Sequence, residues 1–146
     1  MASEALLRVK YHSDKVKRLS YVGGVSDWVD LCSAEEVEMK KGDFRLIDLG
    51  ISVQVPKGYE MIIAARSSTF KNYGLIQTNG IGVIDESYCG DEDHLKWACY
   101  ATRDTVIHAG DRLCQFRIFE HQPALSFEEV ESLGNPSRGG FGSTGK

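Results

Sequence analysis

The chain has 146 residues, 42% of them hydrophobic, which is enough for one well-cored domain and too few for two. Its 17 basic and 21 acidic residues leave a formal charge of −4, arguing against a general binder of nucleic acid or membrane surfaces, so any anionic ligand must be met by specific groups. No apolar run approaches the roughly 18 residues needed to span a bilayer, and the N-terminus lacks the apolar core of a signal peptide, so a soluble, cytoplasmic protein is expected.

Leu7, Val9 and Tyr11 alternate with Arg8 and Lys10, predicting a half-buried first strand. Ser13 to Ser26 is basic, polar and glycine-containing, a loop composition, and it leads into the short apolar stretch Trp28-Val29-Asp30-Leu31. Val37 and Met39 alternate with charges ahead of the turn Lys41-Gly42-Asp43. Ile47, Leu49, Ile51, Val53 and Val55 then take every second position, a period that fits a strand and not a helix. Pro56-Lys57-Gly58 turns the chain, and Tyr59 to Ala65 is expected to return as the second arm of a hairpin.

Arg66 to Gly74 is the one segment with a helical pattern, one or two turns with hydroxyl residues near its start and glycine after its end. Gly80-Ile81-Gly82-Val83-Ile84-Asp85-Glu86-Ser87-Tyr88-Cys89-Gly90 is an apolar run that stops in an acid, an aromatic hydroxyl and a glycine. It predicts a strand that buries Ile81, Val83 and Ile84 and delivers Asp85 and Tyr88 where strand gives way to loop. Cys114, Phe116 and Ile118 mark a last strand after the turn Ala109-Gly110-Asp111. Short, regularly spaced strands with one small helix indicate an all-β sandwich or barrel over residues 1–133. Residues 134–146, with a lone Arg138 and a lone Phe141 among glycines and hydroxyls, read as a tail with the composition of either a disordered end or a phosphate-gripping lid.

Cys32, Cys89, Cys99 and Cys114 contain no Cys-x-x-Cys pair, and His12, His94, His108 and His121 have no zinc-finger spacing. Free buried thiols are therefore expected, and no metal framework. Three segments carry anion-binding groups: Arg66-Ser67-Ser68, Gln115 within Gly110-Asp111-Arg112-Leu113-Cys114-Gln115, and Arg138 with Ser143 and Thr144. Arginine offers a planar fork for phosphate oxygens, and hydroxyls and amides add neutral donors. No Gly-x-x-x-x-Gly-Lys-Ser/Thr loop precedes a helix, and no glycine-flanked serine or cysteine elbow is present, so a reaction here would use water activated by a carboxylate.

Taken in order, Trp28-Val29-Asp30-Leu31, Ala65-Arg66-Ser67-Ser68, Asn79 through Gly90, Gly110 through Gln115 and Arg138 through Gly145 resemble the five motifs of the trimeric dUTPases, a likeness that runs from about residue 5 to residue 146. The resemblance implies a jelly-roll-like β subunit in a homotrimer with shared active sites, and hydrolysis of dUTP to dUMP and pyrophosphate with Mg2+ on the triphosphate. Such an activity limits uracil in DNA and supplies dUMP for dTMP synthesis. At matching positions, Asp85 would be the general base for water attacking the α-phosphorus, and Tyr88 would pack under the deoxyribose and exclude a 2′-hydroxyl. Asn79, with the backbone of Gly82, Val83 and Ile84, would read the uracil edge, because a buried hydrogen-bonding site rejects a mismatched base strongly. Arg66, Ser67, Ser68 and Gln115 would hold phosphates, Arg138, Ser143 and Thr144 would close over their far end, and Phe141 would cover the base. Asp30 would meet magnesium through water.

The pattern departs from the family at Ala65 (commonly proline), Ser68 (often glycine), Trp28-Val29 (more usually Gly-Tyr) and in the two-residue spacer between Arg138 and Phe141, which resembles short-tailed bacterial and phage members. Some of those members place an aromatic lid about where His94 lies. Two other readings stand beside this one: a dCTP deaminase-like enzyme of related fold, and a non-catalytic β-barrel that binds nucleotides or a partner.

Overall fold

The computed structural model describes residues 4–142. Eleven strands occur among the described residues: β1 Arg8–Tyr11, β2 Val29–Cys32, β3 Val37–Met39, β4 Phe44–Asp48, β5 Ile51–Gln54, β6 Tyr59–Ala65, β7 Leu75–Gln77, β8 Gly82–Ile84, β9 Lys96–Ala101, β10 Thr105–Ile107 and β11 Arg112–Glu120. They form the antiparallel sheets β2-β11-β6-β8, β4-β9-β7, β1-β5 and β3-β10 around one core, the jelly-roll-like β architecture expected from the sequence. The predicted helix is α1, Thr69–Tyr73, closed by Gly74 in the left-handed conformation at φ 66°. Being five residues long, it is far too short to cross a membrane.

The alternating run from Ile47 to Val55 is buried at every second residue, as the pattern requires. It is nevertheless two strands. Gly50 takes φ +71°, and a Cβ there would meet Val16 Cγ2 at 2.5 Å and Ala34 Cβ at 2.9 Å. This break hands the chain from β9, the partner of β4, to β1, the partner of β5. Nor do β5 and β6 form a hairpin: β6 pairs with β11 and β8, because the longest complementary strand lies at the far end of the chain. In β8 the inside-outside assignment is also corrected. Ile81 and Val83 are half exposed and only Ile84 packs against the core, since β8 is an edge strand with one covered face.

The core centres on Trp97, Ile47, Leu49, Met61, Ile63 and Leu113. A polar bridge crosses it: Trp97 Nε1 donates to Gln77 Oε1 at 2.7 Å, and Gln77 Nε2 donates to the Ile63 carbonyl at 3.0 Å. This ties β9 through β7 to β6.

All four cysteines are free thiols, Cys32, Cys99 and Cys114 buried and Cys89 exposed. Burial raises the three inner thiols, Cys99 to about 12. Iodoacetamide at neutral pH is therefore expected to label Cys89 alone in the folded protein and all four after denaturation, counted by intact mass. A second rapid adduct on the native protein would contradict the burial.

Candidate functional site

Two groups of polar residues stand out, both carried by the β2-β11-β6-β8 sheet. In the first, Asp30 of β2 faces Gln115 of β11, which faces Ala64 of β6, so the side chains of Asp30 and Gln115 share one side of the sheet. Arg66 follows directly on β6, and its Nε donates to Asp30 Oδ1 at 3.1 Å. Arg112 Nη1 donates to Asp30 Oδ2 at 3.2 Å, from a position beside a bulge at Leu113. Two guanidinium groups against one carboxylate leave a local positive excess in an acidic chain, which attracts anions. Ser67 and Ser68 continue from Arg66 with their side chains at least partly exposed. Ser68, at the N-cap position, makes no capping bond. The buried Thr69 hydroxyl performs the anchoring instead, accepting from Arg66 N at 3.1 Å and donating to the Leu113 carbonyl at 2.6 Å. Gln115 Nε2 donates to the Ala65 carbonyl at 3.2 Å.

The second group surrounds β8. Asn79 and Gly80 form the turn before it, and Gly82 lies so close to β6 that a Cβ would stand 3.3 Å from Ile63 Cβ. Asp85 leaves the strand exposed, and Oδ1 accepts from Ser87 N at 2.7 Å and from the Ser87 hydroxyl. The Ser87 hydroxyl and then its amide hold the Asp85 carboxyl below the ordinary 3.8, helped by the Tyr88 amide and the positive field of His121. Both Ser87 bonds fall on Oδ1 and not on Oδ2. Tyr88 donates its hydroxyl to the His94 carbonyl at 2.8 Å, fixing the ring to the turn before β9. The His94 ring is itself covered on one face by His12, at 3.8 Å between centroids.

One chain does not bring these groups together. Ile84 faces Met61, which sets Asp85 opposite Glu60, while Arg66 lies six residues further along the same line. At about 3.3 Å per residue this is roughly 20 Å. The described part of the tail joins neither group: among the described residues Arg138 Nε bonds only the adjoining Gly139 carbonyl, at 3.4 Å, and Phe141 is fully exposed at φ 52°. Ser143 and Thr144 lie outside the described residues.

Sequence reasoning passed over Ser87, Thr69 and Arg112 as site residues. Ser87 was findable, since an acid followed two residues later by serine is an Asx-turn pattern. Arg112 meets Asp30 only through the β2-β11 pairing, and Thr69 works through a carbonyl 44 residues away, so neither has a local signature.

Comparison with known proteins identifies the family that carries this fold. The family model described as dUTPase matches residues 29–145. The SPbeta prophage-derived deoxyuridine 5'-triphosphate nucleotidohydrolase YosS of Bacillus subtilis (strain 168) is 50% identical over 139 residues, 95% of this chain and 97% of that protein. The deoxyuridine 5'-triphosphate nucleotidohydrolase of Anaplasma marginale is 35% identical over 130 residues, 86% of this chain and 87% of that one. Among solved structures, the Staphylococcus bacteriophage 80alpha dUTPase with dUPNHPP superposes with a TM-score of 0.79 at 20% identity, covering 97% of this chain and 99% of that chain. The five ordered motifs, the fold that carries them and a match over most of the chain converge: this chain belongs to the dUTPase family.

Proposed function

We propose that the protein hydrolyses dUTP to dUMP and pyrophosphate at sites assembled between the copies of a homotrimer. The observation that carries the shared site is the separation of Asp85 from Arg66 along β6, about 20 Å by strand rise, too far for one α-phosphorus to be served by both in one chain. A second copy supplies the missing half. An exposed apolar row supports the assembly: Phe44, Tyr100 and Ile76 face one another across β4, β9 and β7 with 59%, 41% and 48% exposure, a surface that a neighbouring copy would cover. The extended segment after β11, with Leu125, Phe127 and Leu133 exposed, points the same way, and the glycine-rich tail from residue 134 would close over a site with Arg138, Phe141, Ser143 and Thr144.

Within such a site Asp85 takes the proton of water as its oxygen bonds the α-phosphorus, and the bond to the bridging oxygen breaks to release pyrophosphate. Ser87 holds the carboxylate so that Oδ2 points at the water. Tyr88, pinned by the His94 carbonyl, sets the floor under the sugar, and Asn79 with the β8 backbone reads uracil. Arg66, Ser67, Ser68 and Gln115 bind the phosphate oxygens. Magnesium fits this chain as an ion carried by the substrate. Asp30 offers hard oxygen donors, but each already faces a guanidinium, so it would reach the ion through water. When bound, the ion neutralises charge on the phosphates. A cytoplasmic setting belongs to this reading and is supported by four free thiols.

The deciding measurement gives the protein dUTP or dCTP with Mg2+ and follows pyrophosphate and base identity. Pyrophosphate and dUMP from dUTP alone are expected; deamination of dCTP would establish the deaminase reading, and turnover of neither would leave a binding protein. Mixing Asp85→Asn with Arg66→Ala protein, each inactive alone, is expected to restore part of the activity through mixed trimers.

The hydrogen bonds to Asp85 also set a pH dependence. The carboxylate is the working form, and a depressed pKa keeps it ionised as pH falls; the rate is lost only when pH drops through that depressed value. Ser87→Ala removes the largest cause of the depression, so the acid limb of kcat/KM is expected to move to higher pH. An unmoved limb would show that Ser87 does not govern the base.

A further inference from the structure

We propose that His12, Glu92 and His94 form a binding site for a divalent transition-metal ion of the zinc type, next to the turn that follows Tyr88. Each residue offers one ligand atom, and the three atoms lie within 4.8 Å of one another. They come from separate parts of the chain: His12 follows β1, and Glu92 and His94 lie in the turn before β9. Both backbones are anchored, His12 N donating to the Gly50 carbonyl at 2.8 Å and Leu95 N to the Ile51 carbonyl at 2.8 Å.

The surroundings of His94 are those of a metal ligand. Its Nδ1 lies 3.1 Å from both oxygens of Asp48, which makes Nδ1 the protonated donor and leaves the lone pair on Nε2. That Nε2 is the atom facing Glu92, at 3.7 Å from Oε2. Asp48 is in turn fixed by the Gly50 amide at 2.8 Å. A carboxylate behind a histidine orients the ring and raises its basicity toward an ion. Across the stack, Ser52 Oγ holds His12 Nε2 at 2.8 Å. Two imidazoles and one carboxylate suit zinc, whereas magnesium prefers an all-oxygen shell.

Two features must change when an ion enters. The rings are stacked at 3.8 Å with 12° between their planes, so their in-plane lone pairs run side by side, and one ring has to turn to share an ion. Lys10 Nζ stands 3.9 Å from Glu92 Oε1 on a mostly exposed carboxylate and would give way to the stronger charge. Asp91 and Asp93 add negative charge on either side of Glu92.

The test uses the full chain, freed of metal and titrated with Co2+ as a spectroscopic substitute for Zn2+, in a Cys89→Ser background so that the exposed thiol cannot contribute. One Co2+ per chain, with visible absorption, displaceable by Zn2+ and not by millimolar Mg2+, is expected, together with a rise in Tm on adding Zn2+. Affinity should fall at least tenfold in His12→Ala and in Glu92→Gln, and by about 10–100-fold in Asp48→Asn, where only the group behind His94 is altered. Far-UV circular dichroism establishes that each variant is folded. Absence of one-to-one binding, or undiminished affinity in a folded His12→Ala/Glu92→Gln double variant, would overturn the site.

Discussion

Asp85→Asn is expected to lower kcat for dUTP by about 10²–10⁴-fold, the contribution of a positioned general base. Asparagine keeps the size of the side chain and can still accept from the Ser87 amide, so the turn that aims it should survive. What it lacks is a site for the proton of the attacking water. Substrate affinity, measured with a non-hydrolysable dUTP analogue, should change little, since phosphate binding is assigned to Arg66, Ser67, Ser68 and Gln115. The split between a lost kcat and a retained affinity is the diagnostic result. If Asp85→Asn turned over at the wild-type rate, the base would have to be sought elsewhere. The lowered pKa sharpens the test: at neutral pH the wild-type carboxylate is ionised, so the comparison is between a competent base and an amide that cannot take the proton.

Much of this turn was legible in the order of residues, because it is local: an apolar run, an acid, and donors within three positions build one structure with little help from the rest of the chain. The same holds for α1, whose glycine stop lies next to it, and for the buried side of Ile47 to Val55. Long-range pairing was not legible. Strand β6 looked like the second arm of a hairpin because a proline-glycine turn precedes it, yet its partners are β11 and β8, and the preference of one edge over another is settled by the whole sheet. Gly50 likewise read as a spacer in a regular alternation, and only its crowding against Val16 and Ala34 explains why the strand breaks there. The meeting of His12 with His94, and of Arg112 with Asp30, depends on sheet topology and left no trace in residue spacing.

The separation of Asp85 from Arg66 in one chain follows from the same topology. Asp85 and Arg66 are 19 positions apart in sequence, close enough to suggest one pocket, but β6 runs between them as a straight spacer. With the proposed shared site, activity would depend on assembly. Dilution below the association range of the trimer is therefore predicted to reduce specific activity, whereas a site complete in one chain would show no such concentration dependence.

The largest effect on stability is expected at Trp97, which is 1% exposed and is the largest side chain in the core. Trp97→Ala removes the ring and its packing and should cost about 3–5 kcal/mol, enough to unfold a marginal domain. Trp97→Phe isolates the polar part of the loss. It keeps an aromatic ring in place but deletes the Nε1 donor, leaving Gln77 Oε1 buried without its partner, at a cost of about 1–3 kcal/mol. Gln77 also donates to the Ile63 carbonyl on β6, opposite Gly82 of β8, so a disturbed amide would be transmitted to β8 and the turn proposed to read uracil. Trp97→Phe should therefore lower Tm and also weaken binding of the dUTP analogue, while Gln77→Leu combined with Trp97→Phe, which removes both partners, should recover part of the stability. Chemical denaturation of the single and double variants measures this coupling; strictly additive losses would mean that the hydrogen bond between Trp97 and Gln77 contributes nothing beyond the volume of its two side chains.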